Sequence, residues 1–345
     1  MNIAILAGGL SPERDVSLTS GSLIANALMK KGHRVLLIDA YLGMEIDESR
    51  PLSELFRSEG EYHYSVREEA PNLEALKASR GGEALLGENV VRLCLEADVT
   101  FLALHGAAGE NGQTQATLDS YGIPYTGSGY VGSLLAMDKD IAKRILASYG
   151  IRTPRGVTLD MANRVDLDAV IEEIGFPMVV KPCSCGSSVG ISMVNSRDEL
   201  IHAVETARKY ESVMLVEQRI VGREFTVGIL DGKVLPPVEI IPKCGFYDYK
   251  NKYQAGLTEE VCPAELSAED NALLADITLR AFAALRLRDY SRFDYIRDEE
   301  GIFWCLEANT LPGMTPTSLL PQEAAAVGID YANLCEKIAY LALEH

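Results

Sequence analysis

Residues Ser291–Ser318, SRFDYIRDEEGIFWCLEANTLPGMTPTS, limit what this chain can fold into more than any other stretch. Two strand-like runs flank a turn near Asp298–Gly301, the pattern of an antiparallel hairpin. Side chains alternate faces along a strand, so Arg292 and Asp294 share one face, and so do Glu307 and Asn309. Folding the runs together makes Asp294 and Glu307 roughly diagonal neighbours. Phe293, Trp304 and Leu306 are expected to form an apolar opposite face. Two carboxylates brought that close repel unless a cation lies between them. An Asp, a Glu and an Asn carbonyl are hard oxygen donors of the type Mg²⁺ takes while keeping waters and phosphates. Scattered surface charge is the alternative. The concentration of polar groups on one side favours a magnesium site.

The chain has 345 residues, enough for two or three domains with cores of their own. Its net charge of −18, from 32 basic and 50 acidic residues, argues against nucleic acid or an anionic membrane as partner. An anionic ligand would therefore have to be held by a few placed lysines. MNIAILAGGL enters a strand-like run with no basic segment before it, so no signal peptide is expected, and no apolar run is long enough to span a membrane. Seven dispersed cysteines, five histidines and no CxxC pair point away from zinc and toward reduced thiols in the cytoplasm.

Asn2–Ala7, Asp15–Lys31 and Arg34–Asp39 read as strand, helix and strand, a βαβ start that implies a parallel sheet. Val99–Leu104 reads as a further strand. Little can be assigned in 41–97 beyond a helix over Asn89–Glu96. Asp138–Tyr149 and Leu167–Ile174 read as helices, each followed by glycine, and Ser196 with Glu199 forms a capping box. Strands then dominate: Met178–Lys181, Ile191–Val194, Met214–Glu217, Glu224–Leu230 and Lys233–Ile240, with Asp231-Gly232 as a turn. Pro242–Pro263 reads as a long lid-like loop, Ser267 caps a helix to about Leu287, and Tyr331–Leu343 is a closing helix. The fold class is α/β and α+β, with a doubly wound parallel-sheet domain at 1–128 and α+β parts at 129–216 and 217–345.

Gly8-Gly9-Leu10-Ser11-Pro12-Glu13 follows the first strand but is not GxGxxG, and Asp39 makes a poor case for a dinucleotide site. Glu13, at a strand-to-helix junction, is placed to meet a ligand ammonium; a first-turn Glu favoured by the helix dipole is the alternative. KPCSCGSSVG, from Lys181 to Gly190, lacks the GK[ST] ending of a P-loop. Its small residues could expose backbone N–H groups to phosphates, with Lys181 at the base, or simply make a tight turn. Lys139 opens a helix. Glu217 and Glu224 end and begin strands at a spacing able to reach a ribose or an adenine amine. Lys252-Tyr253 lies in the lid-like loop, and His105 follows a strand end, where α/β sites lie. Cys183 and Cys185 read as packing rather than metal ligands.

Taken together, GGLSPERDVSL, LHGAAGENGQTQ, YTGSG, MDK, VVKPCSCGSSVGIS, LVEQRIVGREFTV, FYDYKNKY, SRFDYI and LEANTLPGMTPTSLLP resemble the D-alanine–D-alanine ligases of the ATP-grasp superfamily. They run in family order over nearly the whole chain, with about 41–97 unmatched. The resemblance implies an ATP-grasp fold behind an N-terminal pre-ATP-grasp domain, with ATP and two Mg²⁺ ions (or Mn²⁺) as cofactors. It implies Lys139 and Lys181 on ATP phosphates, Glu217 and Glu224 on adenine and ribose, and Asp294, Glu307 and Asn309 on metal. Glu13 would take the first D-alanine's ammonium, with His105 nearby. Arg292 and the Gly313 N–H would form the oxyanion site, with Ser318 and Leu319 at the second D-alanine. Ser187 and Tyr253 would latch the lid to Glu13, and Lys252 would face the transferred phosphate. The family also implies a homodimer.

Rival readings are a ligase taking D-serine or D-lactate second, a nucleotide sensor without chemistry, and an ATP-grasp kinase or carboxylase. Tyr253 argues against the D-lactate type, since relatives of that type have histidine there. Arg292 argues against a sensor, and Glu13 with Ser318 against another acid substrate. The thiols bordering the phosphate loop suggest that oxidation or alkylation of Cys183 or Cys185 would impair closure on ATP.

Overall fold

The computed structural model describes residues 1–65, 71–80, 82, 84–186, 190–243 and 258–345. β1 (Asn2–Ala7) is fully buried from Ile3 to Ala7. A strand that apolar needs cover on both faces, which βαβ crossovers supply. α1 (Arg14–Lys30) leads to β2 (Arg34–Asp39), which pairs parallel with β1 from Asn2–Arg34 to Ala7–Asp39. After α2 (Leu73–Arg80) and α3 (Val90–Leu95), β3 (Val99–Leu102) takes the other edge of β1 and completes the order β2-β1-β3. α4 (Ala107–Glu110) and α5 (Gln113–Ser120) follow the carboxyl end of β3. The 41–97 segment packs beside this sheet through buried Phe56 and the backbone pairing of Arg57 with Val35. Arg57 stacks its guanidinium 3.7 Å from the centre of the Tyr62 ring, and the Tyr64 hydroxyl donates to Asp15 at 2.7 Å.

Next come α6 (Tyr130–Met137), α7 (Lys139–Ser148), β4 (Gly156–Asp160), α8 (Leu167–Ile174), β5 (Met178–Pro182), β6 (Ser192–Val194), α9 (Arg197–Ala207) and β7 (Val213–Gln218). Their four strands form an antiparallel sheet ordered β4-β7-β5-β6. α6 and β4 are not anticipated from sequence. α6 contains Gly132 and lacks a side-chain cap, while β4 is short and mostly half-exposed, so neither shows clean periodicity.

The remaining elements are β8 (Arg223–Leu230), β9 (Lys233–Val234), β10 (Val238–Pro242), β11 (Thr258–Val261), α10 (Ala268–Ala284), β12 (Tyr290–Arg297), β13 (Phe303–Asn309), α11 (Leu319–Ala326) and α12 (Tyr331–Leu341). They build a sheet ordered β11-β10-β8-β12-β13, with β9 paired to β8. The expected single strand over Lys233–Ile240 is therefore two strands, broken at Pro236-Pro237, where ladder donors are missing. β11 falls inside the stretch read as a loop; its TEEV sequence is that of a charged edge strand. No described helix is long and apolar enough to cross a membrane.

Caps fix where the helices start. Ser196 Oγ accepts from Glu199 N at 3.3 Å, while the Glu199 carboxylate takes the N–H of Asn195, one residue earlier than a strict capping box requires. Asp138 caps α7 by accepting from Ile141 N at 3.0 Å. This cap sets the first turn of α7 and with it Lys139, which is buried. Asp138→Ala should lower stability in urea melts by about 1 kcal/mol, and Asp138→Asn should recover most of that.

Candidate active site

The hairpin β12–β13 pairs Arg292 with Asn309 and Asp294 with Glu307. The two carboxylates are thus directly opposite, not diagonal. A register shift between Asp294 and Tyr295 also changes which residues share a face. The apolar side is Phe293, Tyr295, Phe303, Cys305 and Ala308, all in one core. Trp304 and Leu306, expected there, are outside it. Trp304 donates to Asp298 at 2.6 Å, and Leu306 lines a cavity beside Glu307.

Asp294 is held from three sides. Arg292 donates to both its oxygens at 3.0 Å, Thr226 Oγ1 donates at 2.7 Å, and Asn309 Nδ2 donates at 3.0 Å. Lys139 Nζ lies 3.7 Å from Glu307. Among the described residues no three His, Cys, Asp or Glu side chains come together as a metal cluster; the set here is two carboxylates and an amide. Its donors are hard oxygens, which fit a hard divalent ion, and Arg292 and Lys139 supply positive charge to the two carboxylates in this structure.

Beside this face lies a cavity of about 460 Å³, the size of a small-molecule site. It opens between the two antiparallel sheets. Lys181, Glu217, Glu224, Asp294 and Glu307 line it together with apolar Val179, Ile191, Met193, Ile240, Ile296 and Leu306. A cavity lined by both apolar and charged side chains suits a nucleotide, which has a base to bury and phosphates to neutralise. Glu217, expected from sequence at a nucleotide, lines this cavity. It is buried as the shared counter-ion of Lys181, at 2.5 Å, and Lys143. Burial raises the Glu217 carboxyl, but the two ammonium groups outweigh it and hold it below the usual range. Burial and the charge of Lys181 pull Lys143 down. Lys143 escapes the sequence reading, although it stands one turn after Lys139 on α7, a spacing that marks a shared helix face.

Lys139 is tied to the 181–190 loop through backbone: its N–H donates to Cys183 O at 3.0 Å and its Nζ to Cys185 O at 2.7 Å. The thiols are less reactive than the sequence suggests. Burial pushes Cys183 up to about 12 and also raises Cys185, which disfavours the thiolate needed for oxidation or alkylation. Ser187, Lys252 and Tyr253 lie outside the described residues.

On the far side of Arg292, three loops meet at Glu13, the N-cap residue of α1. A Cβ built on Gly106 or Gly186 would lie 3.6 Å from Glu13 Oε2. Gly106 has φ of +71°, and a Cβ there would also crowd Ser11 Oγ at 2.7 Å, so only glycine lets the chain pass. His105 is buried beside it, hydrogen-bonded to the Leu311 backbone, with Nε2 unpartnered. Burial lowers its pKa, so the ring is neutral. Ser318 stands at the N-terminal boundary of α11 without a side-chain bond to the helix, and its Oγ accepts from Thr315 N at 3.1 Å; a Cβ on Gly313 would be 3.0 Å from that Oγ. Leu319 packs against Val238 and Ile240.

One further carboxyl joins this set. Glu110 accepts from Gly106 N at 2.8 Å and from the Leu311 backbone, clipping the first sheet's loop to the chain that leaves β13. Burial, then Glu13, raise it to about 8. Only its place five residues after His105 in HGAAGE marks it in the sequence.

Family models for "D-ala D-ala ligase N-terminus" and "D-ala D-ala ligase C-terminus" match residues 2–128 and 145–340. The chain belongs to the D-alanine–D-alanine ligase family. It is 40% identical over 342 residues to the D-alanine–D-alanine ligase of Pediococcus pentosaceus, covering 98% of this chain and 96% of that one. The Bacillus anthracis D-alanine–D-alanine ligase crystallised with ATP superposes with a TM-score of 0.78 at 32% identity, covering 100% of this chain and 98% of that one. The VanG D-Ala:D-Ser ligase of Enterococcus faecalis superposes at 0.75 with 26% identity, covering 99% of each. The ATP-grasp architecture expected for this family is the one observed.

A carboxyl raised by folding is neutral in the native state while its unfolded form ionises above pH ~4.5. Its favourable contribution is therefore complete at low pH and is lost as pH rises toward 8. Glu110→Gln removes that loss. Its stability relative to wild type should climb between pH 5 and 8, by no more than about 1.4 kcal/mol per pH unit, and level off above. Denaturant melts of both proteins across that range measure the difference.

Proposed function

We propose that this chain joins two D-alanine molecules at the expense of ATP, using the residues gathered around Arg292. The observation that carries this is the gathering of three groups around Arg292 and Asp294: the cavity lined by Lys181, Asp294 and Glu307, the Asp294–Glu307–Asn309 donors with Lys139 beside them, and His105 close to both Glu13 and Arg292. A nucleotide's base would lie against the apolar lining of the cavity, with its phosphates toward Lys181 and the nearby Lys139. Asp294, Glu307 and Asn309 would hold two Mg²⁺ or Mn²⁺ ions. When bound, these supply charge that offsets the transferring phosphoryl group.

Glu13 anchors the ammonium of the first D-alanine and presents its carboxylate to ATP. That carboxylate attacks the γ-phosphorus, ADP departs, and an acylphosphate forms. The amine of the second D-alanine, its carboxylate at Ser318 beside Leu319, then attacks the acyl carbon. Phosphate leaves and the nitrogen loses a proton. Arg292 and the Gly313 N–H receive the developing oxyanion. In the present structure Arg292 is paired with Asp294, so turning to substrate requires that pair to loosen. Lys252, Tyr253 and Ser187 are assigned to closure of the loop that keeps water from the acylphosphate. Glu217 acts here by setting the charge and position of Lys143 and Lys181, and Glu224 lines the cavity for the ribose or base. Domains at 1–128, 129–216 and 217–345, a cytoplasmic location and a homodimer complete this reading. The three separate sheets support three parts, but β7 (Val213–Gln218) belongs wholly to the second sheet, so the second boundary belongs after Gln218.

The deciding measurement is phosphate release from ATP with D-alanine alone, with added D-serine and with added D-lactate, each product identified by mass. Strong release giving only D-alanyl-D-alanine is expected. A mixed dipeptide or ester as main product would move the second subsite to another substrate. Arg292→Ala should keep nucleotide affinity within about threefold while kcat falls roughly a hundredfold or more. Equal loss of both would assign Arg292 to folding instead.

A further inference from the structure

Glu323, on α11, is fully buried and takes no part in the scheme above. Its Oε1 accepts from Gly228 N at 2.9 Å, and its Oε2 has no partner. Gly228 on β8 is the register partner of Arg292 on β12. Cross-strand partners point to the same face, so the Glu323 carboxyl fills the place a side chain at 228 would take, next to Arg292. A Cβ on Gly228 would overlap Glu323 Oε2. The fit is reciprocal: glycine leaves a socket, and a carboxyl from another element occupies it. The same face carries Thr226 opposite Asp294, one row further along. Five residues before Glu323, at the cap of the same helix, is Ser318.

We propose that Glu323 is a positioning residue, locking α11 to the strand position opposite Arg292 and so fixing the distance between the second-substrate subsite and the oxyanion group. Short helices move as rigid pieces, so a hydrogen bond at Glu323 governs where the cap of α11 stands. A tether in this position has to be neutral. An ionised carboxylate would compete with Asp294 for Arg292, and it would also bring further negative charge onto a face that already carries two acids. Burial keeps the Glu323 carboxyl well above its ordinary range, as the geometry demands. The tether therefore restrains position without drawing Arg292 away.

The inference rests on the ligase reading, and kinetics with the intact chain separate the two. Glu323→Gln keeps the acceptor and the volume, and should leave all constants within about twofold of wild type. Glu323→Ala should raise the KM for the second D-alanine roughly fivefold or more, the effect of one lost buried hydrogen bond, with the KM for ATP unchanged. Gly228→Ala/Glu323→Ala refills the socket without restoring the tether. Its thermal midpoint should recover while the second KM stays high, and it carries the test if the single alanine variant does not fold. Recovery of both in the double variant would show plain packing and overturn the proposal, as would loss of activity in Glu323→Gln. Ser318→Ala supplies the reference. If it leaves the second KM unchanged, the subsite assignment itself falls. If it raises that KM and neither alanine variant at 323 does, only the role of Glu323 falls.

Discussion

Everything at the centre of this molecule follows from two carboxylates, Asp294 and Glu307, placed directly opposite each other on adjacent strands. Like charges about 5 Å apart repel by about 3 kcal/mol at the effective dielectric of a protein site. The surrounding chain is organised to answer that repulsion. Arg292 grips Asp294 with two hydrogen bonds, Lys139 stands over Glu307, and Thr226 and Asn309 donate to what remains. Each of these partners comes from a different element, so satisfying one pair of acids draws α7, β8, β12 and β13 to a common point.

A second charge problem is solved the opposite way. In a chain of net charge −18, three buried lysines, Lys139, Lys143 and Lys181, are paired with only two acids, Glu307 and Glu217. Lys143 and Lys181 would repel, and Glu217 sits between them as shared counter-ion. The arrangement leaves an excess of one positive charge in that trio. A cation cluster neutralised completely would bind phosphate weakly; one left without a carboxylate would destabilise the empty site. Glu217 thus sets the spacing of Lys143 and Lys181 while lining the cavity.

The sequence made the hairpin legible because its polar and apolar residues alternate with the period of a strand, and because the strand-to-helix start left little choice about the first sheet. The shift at Asp294–Tyr295 was not legible. One extra residue moves Trp304 and Leu306 off the apolar face, and nothing local in FWCLEAN announces it. Partnerships between distant elements were equally hidden. Lys143 and Glu217 are 74 positions apart, and no periodicity links them. Ser187, Lys252 and Tyr253 fall outside the described residues, so their placement adds nothing to either side.

Glu110 and Glu323 escaped notice for a related reason: an acidic residue read from sequence is taken as charged. In the fold Glu323 is fully buried and Glu110 half-buried, both accept from backbone N–H, and burial raises both. Adding two ionised carboxylates to surroundings that already hold Glu13, Asp294 and Glu307 would compound the repulsion. As neutral acids they give the opposite result. Each keeps its acceptor oxygen and adds no net charge. Each also bridges elements on which the reaction depends, Glu110 between the first sheet and the loop after β13, Glu323 between α11 and β8. An acid-rich site can therefore use further carboxyls as rigid links, provided the fold dries them first.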